Sequence, residues 1–121
     1  MSDRSEKLLI GDIIISIQRI QQYTKGLTLD DFLSNQLVID AVIMNFTVMG
    51  EAVSRLSLSF KRKNTAIPFR LIKDFRNKIV HFYFGIDHQI LWDIITNELN
   101  ALLPELTVLH NSIPDSLFDT E

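Results

Sequence analysis

Ile10, Ile13, Ile14, Ile17 and Ile20 recur at three- and four-residue intervals, a spacing that gathers them on one side of a helix. β-Branched side chains lower helix propensity only modestly, so the spacing decides. It predicts a helix over residues 4–24, stopped by Gly26. "TLDDFL" reads as a short extra helix with Thr28 as its cap. Residues 35–61 carry Val38, Ala41, Val42, Met49, Ala52, Val53, Leu56 and Phe60 on one broad stripe, with Ile39, Ile43 and Phe46 on a second apolar face. A helix apolar on two faces is either central in its bundle or covered by another subunit. Asn45 interrupts the stripe as a polar group satisfied between helices. Gly50 permits close approach of a neighbouring helix, at some cost in helix stability.

"KRKNTAIP" is the clearest loop, and Pro68 suits the first turn of a third helix through "FRLIKDFRNKIVHFY", loosening near Gly85. A fourth helix starts at Asp87 as N-cap and turns Ile90, Leu91, Ile94, Ile95, Leu99 and Leu102 inward; Pro104 kinks or ends it. Strand alternation is weak throughout. The predicted fold is all-α, an antiparallel four-helix up-and-down bundle with a short extra helix. One domain is expected over residues 1–110, followed by a flexible acidic tail over 111–121.

A chain of 121 residues, 46% apolar and 22% charged, buries one core and falls in the ordinary soluble range. With no cysteine there is neither a disulfide nor a thiolate metal site. The apolar run "LLIGDIIISI" is too short to span a bilayer and lacks a signal-peptide cleavage pattern. A cytoplasmic protein with no membrane partner is the expectation.

The net charge of −3 speaks against nucleic-acid binding, but its distribution is uneven. Residues 55–78 hold eight basic residues (Arg55, Lys61, Arg62, Lys63, Arg70, Lys73, Arg76, Lys78) and one acid, Asp74. Residues 79–121 hold seven acids and no Lys or Arg. A basic block attracts phosphates locally whatever the isoelectric point, and Arg70, Lys73 and Lys78 are candidate RNA contacts. A solvated basic loop balanced by acidic neighbours fits the charges equally well.

Inside that block begins "RNKIVHFY", residues 76–83, which places Arg76, His81 and Tyr83 among apolar positions. A histidine exchanges a proton near neutral pH, and an arginine holds a phosphate through paired donors. Together they suit RNA cleavage by attack of the 2′-hydroxyl, a nucleophile that DNA lacks. The plain alternative is a core histidine among Ile79, Val80 and Phe82 beside a solvated arginine. Arg76 and His81 are five residues apart, a rotation of about 140° on a straight helix. Their convergence therefore needs a helix irregularity, a second copy of the segment, or both. His88 and His110 have no comparable neighbours, and no metal-ligand spacing occurs.

"RNKIVHFY" resembles the Arg-x4-His-x-Tyr motif of the HepT-type toxins, within the wider group of HEPN ribonucleases. "IQRIQQYTKGLTLDDFL", "DAVIMNFTVMGEAVSRLS", "IPFRLIKDFRNKIVHFYFGID" and "LWDIITNELNALLPEL" follow the family pattern in order, over roughly residues 8–106. Phe69 stands where the family usually has Trp. The resemblance implies a HEPN-like bundle acting as a homodimeric, metal-independent endoribonuclease toxin with no cofactor, its facing sites in a cleft at the dimer interface. Arg76 and His81 match the catalytic pair, and Asn77 the polar residue that supports it. Tyr83 matches the tyrosine to which a partner antitoxin, a nucleotidyltransferase of the MntA type, transfers AMP from ATP. Related HEPN bundles serve instead as non-catalytic, substrate-binding partners of a nucleotidyltransferase. That role would need neither the arginine nor the histidine.

Overall fold

The computed structural model describes residues 5–78 and 88–115. They form α1 (Glu6–Thr24), α2 (Leu29–Leu33), α3 (Gln36–Arg55), α4 (Leu58–Lys63), α5 (Phe69–Asn77), α6 (His88–Asp93) and α7 (Leu99–Ser112), with a π-helical turn at Ile94–Glu98 between the last two. The fold is an all-α helical bundle, as the periodicity predicts.

Local chemistry sets the boundaries. Ser5 caps α1 by accepting from the Leu8 amide at 3.1 Å, and Gly26 takes a φ of +78° in the turn that follows the helix. Thr28 and Asp31 form a reciprocal capping box, each side chain accepting from the other's backbone N–H at 3.1 and 3.0 Å. Asn35 caps α3 through the Val38 amide.

The expected helix over 35–61 is broken in two. Leu56 is buried in an extended conformation with ψ 139°, and Ser57 caps α4 by accepting from the Phe60 amide. Lys61 Nζ reaches back to the Val53 carbonyl at 3.3 Å, one of the acceptors left open where α3 ends. Phe60 accordingly leaves the α3 stripe and packs against Phe69 with the rings tilted at 50° and centroids 6.2 Å apart.

Leu91, Ile94, Ile95, Leu99 and Leu102 are buried as expected, but Ile90 is 47% exposed and points away from the core. Asp87, its expected cap, lies outside the described residues. Pro104 does not end the helix: α7 runs through it to Ser112. Burial of Leu99 and Leu102 before it and Leu106 after it holds the helix across the missing N–H. In the π-helical turn, side chains occupy backbone carbonyls. Thr96 Oγ1 donates to Trp92 O at 3.0 Å and Asn100 Nδ2 to Thr96 O at 2.7 Å.

Three contacts give the helix directions. Lys7 Nζ donates to Ile113 O at 2.9 Å while Gln21 Nε2 donates to Asn100 Oδ1 at 3.1 Å, so α1 and α7 are antiparallel. Glu6 Oε1 accepts from the Ser57 amide, placing the end of α3 at the start of α1. Ile10, Ile13, Ile17 and Ile20 of α1 are fully buried, each worth about 1.5–3 kcal/mol relative to exposure. They pack with Ile39, Val42, Phe46 and Met49 of α3 in one core.

Helix α3 is long and apolar enough to cross a membrane by length and composition, yet half of that stretch is buried inside the bundle. Asn45 is satisfied within its own helix, donating to Ala41 O at 2.9 Å. α7 extends two residues into the expected tail, and Lys7 pins residues 113–115 through Ile113 O and an ion pair to Asp115 at 2.8 Å.

Candidate functional site

Helix α5 divides its residues by spacing. Phe69, Ile72 and Phe75 are buried, and the Phe75 ring meets Phe46 of α3 edge-on with centroids 5.3 Å apart. Arg70, Lys73 and Asn77 face outward on the opposite side. Arg76 lies at the border between these faces, in the last turn of the helix.

Its side chain crosses α3 at Gly50. A β-carbon at Gly50 would overlap Arg76 Cβ and come within 2.8 Å of Cδ, so only glycine leaves room for the arginine stem. The guanidinium then meets the next residue of α3: Arg76 Nη2 is 2.6 Å from Glu51 Oε1, with both side chains about two-fifths exposed. The expected close approach at Gly50 is thus an approach by Arg76 itself. Glu51 was not singled out by sequence. The available signal was a glycine in mid-helix, where it costs about 1 kcal/mol against alanine, directly followed by an acid.

An open groove of about 630 Å³ runs between α3, α4 and α5. Lys61, Arg70, Lys73 and Asn77 are among the residues that line it, over a floor that includes Val53 and Phe69. Its cations make it a surface for a phosphate backbone, and its apolar floor suits a stacked or partly buried base. Among the described residues of the lining, Asp74 is the single acid.

The groove therefore brings together Asn77, Arg70 and Lys73, whereas Arg76 is not among its lining residues and meets Gly50 and Glu51 of α3. Lys78 is exposed and caps α5, its N–H shared between Asp74 O at 3.1 Å and Phe75 O at 3.2 Å; it does not line the groove. Its φ of −94° and ψ of 0° depart from helical values three residues before His81. His81 and Tyr83 lie outside the described residues. Among the described residues no group of three His, Asp or Glu is placed to hold a metal ion.

Residues 13–109 match the family described as Ribonuclease HepT-like. The chain is 33% identical over 99 residues to "Probable ribonuclease HepT" of Thermococcus cleftensis, covering 82% of this chain and 90% of that protein. It is 33% identical over 106 residues to "Putative RNase MJ0127" of Methanocaldococcus jannaschii, covering 88% of each. It is also 32% identical over 100 residues to "Gamma-glutamylcyclotransferase and putative RNase MJ0434" of the same organism, covering 83% of this chain but only 45% of that longer protein. No solved structure matches.

Proposed function

The chain belongs to the HepT-like ribonuclease family, and from that premise we propose that it is an endoribonuclease toxin that cleaves RNA without a metal ion. The observation that supports the reading is Arg76 at the end of α5, its guanidinium partly exposed and paired with Glu51, with the next residue, Asn77, lining a cation-bearing groove.

In this reading the 2′-hydroxyl oxygen attacks the adjacent phosphorus and the bond to the 5′-oxygen breaks, leaving a 2′,3′-cyclic phosphate and a 5′-hydroxyl. The proton released by the 2′-hydroxyl ends on the leaving 5′-oxygen, with His81 as the acid/base that handles it. Arg76 holds the phosphate and stabilises charge as it builds on the equatorial oxygens. Asn77 supports the arginine, and Arg70 and Lys73 hold the flanking strand. Lys78, outside the groove, is left a weaker RNA contact.

The acting unit is a homodimer. Leu37, Met44 and Val48 stand 81%, 63% and 39% exposed on one side of α3, and Glu51 continues that strip. Covering it with a second copy removes apolar surface from water and brings the two arginines toward the seam. Inhibition follows from modification. The Tyr83 phenol attacks the α-phosphorus of ATP on an MntA-type nucleotidyltransferase antitoxin, pyrophosphate leaves, and the attached AMP adds bulk and negative charge beside the catalytic pair.

The test is to incubate the purified protein with RNA in EDTA and to identify the ends of the products. Cyclic-phosphate ends are expected. Tight binding to a nucleotidyltransferase with no cleavage under any condition would instead identify a non-catalytic partner, a role that the net charge of −3 also fits.

A further inference from the structure

We infer that Glu51 is the positioning residue of the catalytic arginine, acting together with the notch that Gly50 cuts in α3. The inference rests on the reading of Arg76 as the phosphate-binding group. Two consecutive residues of one helix fix two different parts of that side chain. Gly50 receives the alkyl stem, since a β-carbon there would overlap Arg76 Cβ and stand 2.8 Å from Cδ and 3.0 Å from Cγ. Glu51 receives the head, with Oε1 2.6 Å from Nη2.

An arginine without such contacts samples many rotamers, and ordering it at the moment of reaction would fall on the transition state. Here the stem is seated before RNA arrives. The guanidinium has five N–H donors, and a carboxylate on Nη2 leaves the others for a phosphate. Stability of the single chain does not explain the arrangement, because in one protomer an ion pair this exposed contributes little to folding. Nor does RNA affinity, because a carboxylate beside the guanidinium offsets the charge that attracts phosphate. A residue that weakens attraction while fixing orientation should separate the two kinetic constants.

Glu51→Gln keeps the size of the side chain and removes its charge. The expected result is a kcat lower by about 10- to 100-fold, the range that loss of precise orientation brings. KM for RNA should be unchanged or lower, with a steeper dependence on salt, since one cation is released from its partner. Glu51→Ala should lose more of kcat than Glu51→Gln. A merely structural role would lower the midpoint of thermal unfolding and the active fraction while leaving KM and its salt dependence in place. The Nε–Hε resonance of Arg76 gives a second readout: sharp in the wild type, broadened in Glu51→Gln. Asp30→Asn, which removes one carboxylate from α2, is the control and should leave kcat unchanged.

Gly50→Ala should act in the same direction by displacing the arginine stem. Should that variant fail to fold, the two Glu51 variants still decide the matter. If both keep kcat within twofold of the wild type while Arg76→Ala is inactive, Glu51 has no positioning role and the inference is overturned. If Arg76→Ala itself cleaves at the wild-type rate, the failure lies in the assignment of the arginine.

Discussion

Phe46 of α3 and Phe75 of α5 meet edge to face, ring centroids 5.3 Å apart at an interplanar angle of 80°. Both rings are fully buried, and the residue after Phe75 is Arg76. This contact sets the height and rotation at which the arginine crosses α3, so packing and site share a single joint.

Truncation of that joint should therefore have two effects. Phe75→Ala removes a buried ring and is expected to destabilise the fold by about 3–5 kcal/mol, read by urea denaturation. Cleavage should fall beyond what the loss of folded protein accounts for. A variant that is fully active per folded molecule would show that α5 is held by other contacts.

The rim of the groove should report on RNA affinity rather than on chemistry. Lys73→Ala is expected to raise KM with kcat little changed. It should also reduce the magnitude of the slope of log affinity against log salt by about 0.7, the value for one phosphate contact on a single strand. Lys78→Ala, outside the groove, should change that slope less. Equal effects at the two positions would mean that the groove does not guide the strand.

The exposed strip on α3 carries the expectation of a dimer. Met44 is 63% exposed at its middle, so Met44→Asp places a charge where a second copy would pack while leaving the core of the monomer intact. Sedimentation should find the wild type as a dimer and the variant as a folded monomer with little cleavage activity. A monomeric wild type, or an unaffected variant, would show that this strip is not a dimer interface.

Most of the bundle was legible because its periodicity is strong. The isoleucines of α1, the Thr28 cap and the buried run from Leu91 to Leu102 sit where spacing and cap chemistry put them. The break at Leu56 was not, because Leu56 and Phe60 continue the apolar pattern and the Ser57 hydroxyl decides against it. Pro104 reads as a stop only while the packing on both sides of it is unknown. At the candidate site, the motif singles out Arg76 and Asn77 as candidates, whereas nothing in the sequence singles out Glu51. It lies 25 residues away in the chain and is joined to the arginine only by the packing of α3 on α5.

At the far end of the bundle, the Asp115 carboxyl is held below its ordinary range, first by the hydrogen bond from the Lys7 ammonium and then by that group's charge. A depressed folded-state value means that the contribution of this contact is present above the unfolded carboxylate range. It is lost as pH falls through the lower folded value. An NMR titration should find Asp115 ionised to lower pH than an exposed aspartate, and Lys7→Met should return it to the ordinary range. An unchanged titration in Lys7→Met would contradict the pairing.

In the proposed reaction Arg76 and His81 perform the cleavage. The most direct measurement is the initial rate of cleavage of a defined RNA in EDTA by the wild type, Arg76→Ala and His81→Ala, each checked for wild-type folding and assembly. Cyclic-phosphate products are expected from the wild type, with a rate reduced at least about 100-fold in each variant, the lower end of the 10²–10⁴-fold contribution of acid–base catalysis. Cleavage at the wild-type rate by either folded variant would contradict these roles.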